Sequence, residues 1–282
     1  MDGAVILSSD GDRIKRANVQ LIPSPTWPTQ ESGTRHRTAE RTALHTGVPV
    51  IAVSESQNTI TLYVEGRAHV LEQPSAILAR SNQALGTMER YRNRLDQVNQ
   101  RLHLAELHHY TSVIDVVSVI QREEMLRRVG ESIDGDVLEL GKDAKQIRIQ
   151  LSELRGDNDR ERQFIISDYL VTDGIPTPEE VAAALAAISD LDDKSLMKAA
   201  NIARILGLPP TDEALDEPVI PRGYRTLSRI PRVQKFLMDK LIGTFVQLDA
   251  LLAASQEEIS AVDGVGSLWA RHITDGLARL RG

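Results

Sequence analysis

Cysteine is absent from this chain of 282 residues. Its absence excludes disulfides, thiolate metal sites and a cysteine nucleophile, and it fits a reducing cytoplasm. Long apolar runs are missing too. None approaches the ~20 residues of a membrane-spanning helix. No signal peptide opens the chain, so no membrane partner is expected. The chain also lacks a positive excess: its net charge of −7 argues against a surface coated by nucleic acid. What is present is an ordinary soluble composition, 41% hydrophobic and 26% charged, with length for two or three domains.

Charge is unevenly spread. Between Arg222 and Lys240 six basic residues stand against one acid, Asp239. A basic stripe on an acidic chain points to a confined nucleic-acid contact.

Taken in order, Ala4-Val5-Ile6-Leu7 reads as a buried strand, Asp10-Gly11 as a hairpin turn, and Ile14 to Leu21 as the return strand. A proline-rich loop follows. The stretch Ser32 to Ala43 then ends a loop at Gly33 and begins a helix with Ala39, Ala43 and Leu44 on one face, closed by Gly47. Its first turn holds two hydroxyls, two arginines and a histidine. Unpaired N–H groups and the positive dipole end already attract anions there. Adding Arg35 and Arg37 gives either a phosphate site or a helix start whose charges swing into solvent. Val48 to Val53 forms a further strand ending at Ser54-Glu55, and Thr59–Val64 with Ala68–Leu71 a hairpin around Glu65-Gly66. Up to about Glu72 the chain reads as one sheet with one helix, thin for an independent domain.

From Pro74 the pattern becomes helical. Ile77, Leu78, Leu85, Met88, Leu95, Val98 and Leu102 form a long stripe, which an oligomer's spine would bury. Val113, Val116, Val117, Ile120 and Leu126 mark a second helix. Thr177-Pro178-Glu179-Glu180 is a capping box, and a helix over Ser195–Leu206 stops at Gly207. His103, His108 and His109 lack carboxylates at ligand spacing, so they read as helix surface or partner interface.

The last sixty residues hide a repeat. Ile230-Pro231-Arg232-Val233-Gln234 matches Val262-Asp263-Gly264-Val265-Gly266, and beyond them Met238 matches Ala270 and Leu241 matches Ile273. The second copy has the helix-hairpin-helix pattern, in which two glycines let backbone N–H groups approach a DNA phosphate. The first copy has Arg232 and Gln234 in their place, adding side-chain contacts. The expected DNA-contacting residues are Arg229, Arg232, Gln234, Lys235, Gly264, Gly266 and Arg271. The other reading is a pair of helical turns used only for packing.

Asp2-Gly3-Ala4, Gly33-Thr34-Arg35-His36-Arg37 and the C-terminal tandem pair after a helical linker occur together. Over essentially its whole length the chain resembles the DisA family of bacterial DNA-integrity scanning proteins with diadenylate cyclase activity. The resemblance implies an α/β diadenylate cyclase domain over 1–73, an all-α linker bundle over 74–221 and an all-α tandem helix-hairpin-helix domain over 222–282. Family members carry further cyclase structure before the Asp-Gly-Ala motif, so the first domain is expected to be shortened on that side.

The implied reaction condenses two ATP into cyclic di-AMP with release of two pyrophosphates. By resemblance, Asp2 and Glu55 hold Mg²⁺ or Mn²⁺, and Asp2 lies near the attacking 3′-hydroxyl. Gly3 and Leu21 contact the adenosine. Thr34, Arg35, His36, Arg37 and Thr38 hold the phosphates, as does Ser54, and Arg35, His36 and Arg37 join Asp2 in catalysis. The implied partners are ATP, branched DNA that lowers cyclase output, and further copies of the chain in an octamer, in a cytoplasmic and nucleoid-associated setting. A scaffold that binds DNA junctions through the C-terminal module, with an inactive nucleotide domain, is the alternative of a different class.

Overall fold

The computed structural model describes residues 3–55 and 59–281. The chain divides into two compact units, Met1–Arg80 with Leu138–Lys142, and Ser81–Val137 with Asp143–Gly282.

In the first unit, β1 (Ala4–Leu7) pairs antiparallel with β2 (Ile14–Val19), Ala4 opposite Val19 and Leu7 opposite Ile14. Gly11, at φ 73°, makes the turn. The expectation that β1 is buried fails, for Val5, Ile6 and Leu7 are all exposed. The expected single sheet is also two: this ribbon stands apart from β3 (Val50–Ser54), β4 (Thr59–Val64) and β5 (Arg67–Leu71), which pair in that order, all antiparallel. A two-stranded ribbon has too little surface to bury a face. Glu65 and Gly66, at φ 50° and 74°, form the tight β4–β5 turn, whose two left-handed residues match the twist of the strands.

Helix α1 (Thr34–Thr46) lies on one face of the three-stranded sheet. Ala39 and Ala43 pack against Ala52 and Tyr63 in a small core. Alternation sends Ile51, Val53 and Ile60 to the opposite, exposed face. Gly47 ends the helix in the left-handed conformation, its N–H bonded to the Ala43 carbonyl.

Long helices follow: α2 (Pro74–Leu107) and α3 (Val113–Leu140), then α4 (Lys145–Arg155), α5 (Asn158–Tyr169) and α6 (Pro178–Ser189). Leu85, Met88, Leu95 and Leu102 of the expected oligomer stripe are buried within the chain itself, as is Ile77. These five side chains are spent on the chain's own packing, while Leu78 and Val98 of the same stripe are half-buried. Glu124, with a fully buried side chain, collects Arg127, Arg128 and Arg162 at 2.7–2.8 Å. Burial alone would raise its pKa, but the three guanidiniums hold it below the usual carboxylate range.

The helix expected over Ser195–Leu206 is instead two, α7 (Asp193–Leu196) and α8 (Ala199–Ile205). Lys198 is extended between them, and the Asn201 side-chain amide donates to the Ser195 carbonyl at 2.9 Å. That bond takes the acceptor a continuous helix would use.

The C-terminal stretch comprises α9 (Tyr224–Ser228), α10 (Lys235–Phe245), α11 (Leu248–Ala253), α12 (Gln256–Ser260) and α13 (Ser267–Arg281). Its core continues into the linker through Leu107 and Phe164. The side chains of Asp168, Arg225 and Arg222 fix the start of α9 to the preceding helices. Asp168 accepts from the N–H groups of Gly223, Tyr224 and Arg225. Buried Arg225 donates to Glu106 at 2.5 Å and to Asn99 at 2.9 Å. Arg222 donates to the Ser167 and Asp168 carbonyls.

Candidate functional site

Two regions carry the residues that the sequence singles out. The first is the start of α1. Gly33 caps it with extended backbone and no side-chain acceptor, and its first turn has no acidic residue. The positive end of the dipole therefore faces no carboxylate in that turn, which suits an anion.

Arg35 and Arg37 both point outward and are exposed. Arg35 donates to the Val53 carbonyl at 2.9 Å, which ties the helix start to the end of β3, where Ser54 is buried and Glu55 exposed. Arg37 donates to the Ser32 carbonyl at 3.1 Å, bracing the loop ahead of the helix. Thr38 donates to the Thr34 carbonyl, and Thr34 is exposed.

His36 is turned the other way. It is buried under α1, and its Nδ1 lies 3.0 Å from the Tyr63 hydroxyl. Tyr63 in turn donates to a Glu31 carboxylate oxygen at 2.8 Å. Burial, then the bond to Glu31, raises the Tyr63 pKa well above its ordinary value. The inward parity of β4 places Tyr63 under α1, but no local pattern pairs it with residues 27 and 32 positions away, so neither Tyr63 nor Glu31 stands out in the sequence.

Gly3 precedes β1, and Leu21 is half-buried in the loop after β2. A Cβ on Gly3 would sit 2.6 Å from the Asn18 backbone, a distance real Cβ atoms do not show, so only glycine fits. Asp2 lies outside the described residues. Carboxylates such as Asp2 and Glu55 are the hard oxygen donors that Mg²⁺ and Mn²⁺ take. Among the described residues no group of three or more His, Asp or Glu is gathered for a metal. His103 is buried, His108 stacks on Tyr110, and His109 bonds Asp249 at 2.6 Å.

The second region is the repeat. Its two turns share one backbone scheme. Ile230 N–H bonds the Leu227 carbonyl and Val233 N–H that of Ile230; Val262 and Val265 repeat this with Ile259 and Val262. Gln234 and Gly266 each accept from the helical residue four further on, Met238 and Ala270. Gly264 has φ 81°, and Arg232 has the same left-handed conformation at φ 68°. The glycine is thus replaced without loss of shape.

Arg232, Gln234, Lys235, Gly264, Gly266 and Arg271 are all exposed. Lys235 is held by Asp239 at 2.8 Å, and Arg271 lies 3.8 Å from Asp275. Arg229 is exposed too; it lines a cavity of about 200 Å³ with Asn99, Glu161 and Arg225, and desolvation followed by repulsion from Arg225 lowers its pKa. The turns meet where Gly276 of α13 packs on Ile230, and His272 bonds the Pro231 carbonyl at 2.8 Å.

Comparison with known proteins gives two family matches, both ahead of the repeat. Residues 1–68 match the family described as "DisA bacterial checkpoint controller nucleotide-binding", and residues 71–215 that described as "DisA bacterial checkpoint controller linker region". The chain is 85% identical over 280 residues to the DNA integrity scanning protein DisA of Corynebacterium glutamicum strain R, covering 99% of this chain and 76% of that protein. It is 82% identical to the protein of that name from Corynebacterium efficiens, covering 99% and 79%, and 47% identical to that of Parafrankia sp., covering 99% and 77%. With family matches along 1–68 and 71–215 and such identity across nearly its full length, the chain belongs to the DisA family.

Proposed function

We propose that this chain is a diadenylate cyclase whose output is governed by DNA bound at its C-terminal end. The observation that supports the cyclase reading most is the first turn of α1: no acid, two outward arginines, and a tie from Arg35 to the strand that ends at Ser54-Glu55.

In the reaction, the 3′-oxygen of one ATP attacks the α-phosphorus of the other, and the bond from that phosphorus to the bridging oxygen breaks, releasing pyrophosphate. The reciprocal attack closes the ring. No covalent enzyme intermediate is needed, so the protein positions two nucleotides and neutralises charge. Arg35 and Arg37 hold the triphosphate, with Thr34, Thr38 and Ser54 as hydrogen-bonding neighbours. Gly3 and Leu21 border the adenosine. Asp2 accepts the 3′-hydroxyl proton, and with Glu55 it would hold Mg²⁺ or Mn²⁺, which supplies charge neutralisation at the phosphates. Two sites must face each other, which a two-fold pair of chains supplies; family resemblance favours an octamer whose cyclase domains meet in such pairs, in the cytoplasm and near the nucleoid.

The matched turns over 229–234 and 261–266 support a tandem helix-hairpin-helix reading for 222–282, next to a linker over 74–221 and a cyclase domain over 1–73. Exposed Gly264 and Gly266 let backbone N–H groups reach phosphate, and Arg232, Gln234 and Lys235 add contacts. Each copy makes few contacts and binds weakly, so several copies on a branched junction gain by avidity.

The test is incubation with ATP and Mg²⁺ or Mn²⁺, with and without a four-way DNA junction. Cyclic di-AMP should form, fall when the junction is added, and be lost with Asp2→Asn. Arg35→Ala/Arg37→Ala should weaken ATP binding as well. Junction binding without any product would select the inactive scaffold instead.

A further inference from the structure

Resting on the ATP site proposed above, we infer that His36 is not a phosphate ligand but a positioning residue, working through Tyr63 and Glu31 to hold the start of α1 and the loop before it. A phenol has one proton, and Tyr63 gives it to the Glu31 carboxylate, which only accepts. The Tyr63 oxygen can therefore only accept from His36, which fixes the proton on Nδ1. The chain Nδ1–H to phenol to carboxylate spans three elements: α1, β4 and the loop that carries Glu31.

Glu31 is also where that loop is braced. Its N–H bonds the Thr29 hydroxyl, Thr29 reaches Glu40 of α1, and its own carbonyl accepts from Arg37. Nothing in this arrangement uses Nε2, which is buried and has no hydrogen-bond partner among the described residues, closed off from anything that arrives at the exposed face of Arg35 and Arg37. The imidazole between two arginines thus sets where they stand.

An asparagine amide can replace Nδ1, and a glutamine amide can replace Nε2, so the two roles of a histidine separate by substitution. His36→Asn should keep the donor to Tyr63 and retain ATP affinity and turnover within ~2-fold. His36→Gln and Tyr63→Phe should each weaken ATP binding by ~10-fold, the scale of one lost buried hydrogen bond. They should also slow cyclic di-AMP formation by ~10- to 100-fold through misplacement of the phosphate-binding turn. The effects of Tyr63→Phe and His36→Gln should not add, because both break the same chain.

Affinity is read by calorimetry with ATP and no divalent metal, and turnover with Mn²⁺. If Tyr63→Phe does not fold, Glu31→Ala in the loop takes its place. A chain in which Gln is tolerated and Asn is not, or in which neither Tyr63→Phe nor Glu31→Ala changes ATP affinity, overturns the proposal. Wild-type chain that binds ATP without forming product overturns the cyclase reading alone, and the affinity series still decides the role of His36.

Discussion

Arg232 and Glu123 each sit where their residue type is ill at ease, and each leads to a test. Arg232 holds the left-handed conformation that Gly264 holds in the second turn, at a cost of about 1–2 kcal/mol for an L-residue. Arg232→Gly removes that cost but adds the entropy glycine loses on folding, about 0.5–1 kcal/mol. Stability in denaturant titration should therefore change by no more than about 1 kcal/mol. Loss of one phosphate contact should lower the slope of log affinity against log salt by ~1. An unchanged slope would remove Arg232 from the DNA contact. Glu123 is fully buried with neither carboxylate oxygen hydrogen-bonded among the described residues, and desolvation pushes its pKa up to about 8, against the pull of Arg225. In the unfolded chain it ionises near 4.3. The folded state thus holds the extra proton between these values, and its stabilising contribution, full below about pH 4, is lost as pH rises through 8. Glu123→Gln should be more stable than wild type at pH 8, by up to a few kcal/mol, with the advantage shrinking toward pH 5 in thermal melts at both.

Among the elements, helix α13 depends on Gly276, where a Cβ would lie 2.7 Å from the Ile230 side chain. Gly276→Ala should cost about 1–3 kcal/mol through overpacking, and should weaken DNA binding by parting the two turns, visible together in melts and gel shifts. Such an element is legible in sequence only where the cause is local. Gly47 and Gly207 end their helices, Glu65-Gly66 makes its turn and Thr177 with Glu180 forms its capping box, because each rule acts within four residues. The hairpin's separation from the β3–β5 sheet was not legible, since strand alternation says nothing about which sheet a strand joins. Nor was the break at Lys198, where the Asn201 side chain captures the Ser195 carbonyl. At the site, the outward arginines followed from the motif, whereas the inward turn of His36 depends on Tyr63 and Glu31, distant partners that no spacing rule names.

At the scale of the molecule, the C-terminal stretch is built into the linker rather than hung from it. Leu107 and Phe164 share its core, and Arg225 is buried against Glu106 and Asn99. A chain ending at residue 221 should leave Glu106 without its cation and the apolar side chains bare. We expect it to melt well below the full chain and to bind a hydrophobic dye, rather than behave as a clean deletion. Removing one partner of such a pair costs about 3–5 kcal/mol. An ion pair of this kind, closed off from water, does not stretch by degrees: its oxygen and nitrogen are either in contact or each must find solvent. Load placed on the first turn by DNA, bound as proposed, would therefore meet a catch at the root of α9, not a spring. Small tugs would leave α2 where it is, and only a load sufficient to release Arg225 would be felt further along the linker. The threshold of the scanner, in other words, would be written in one buried guanidinium.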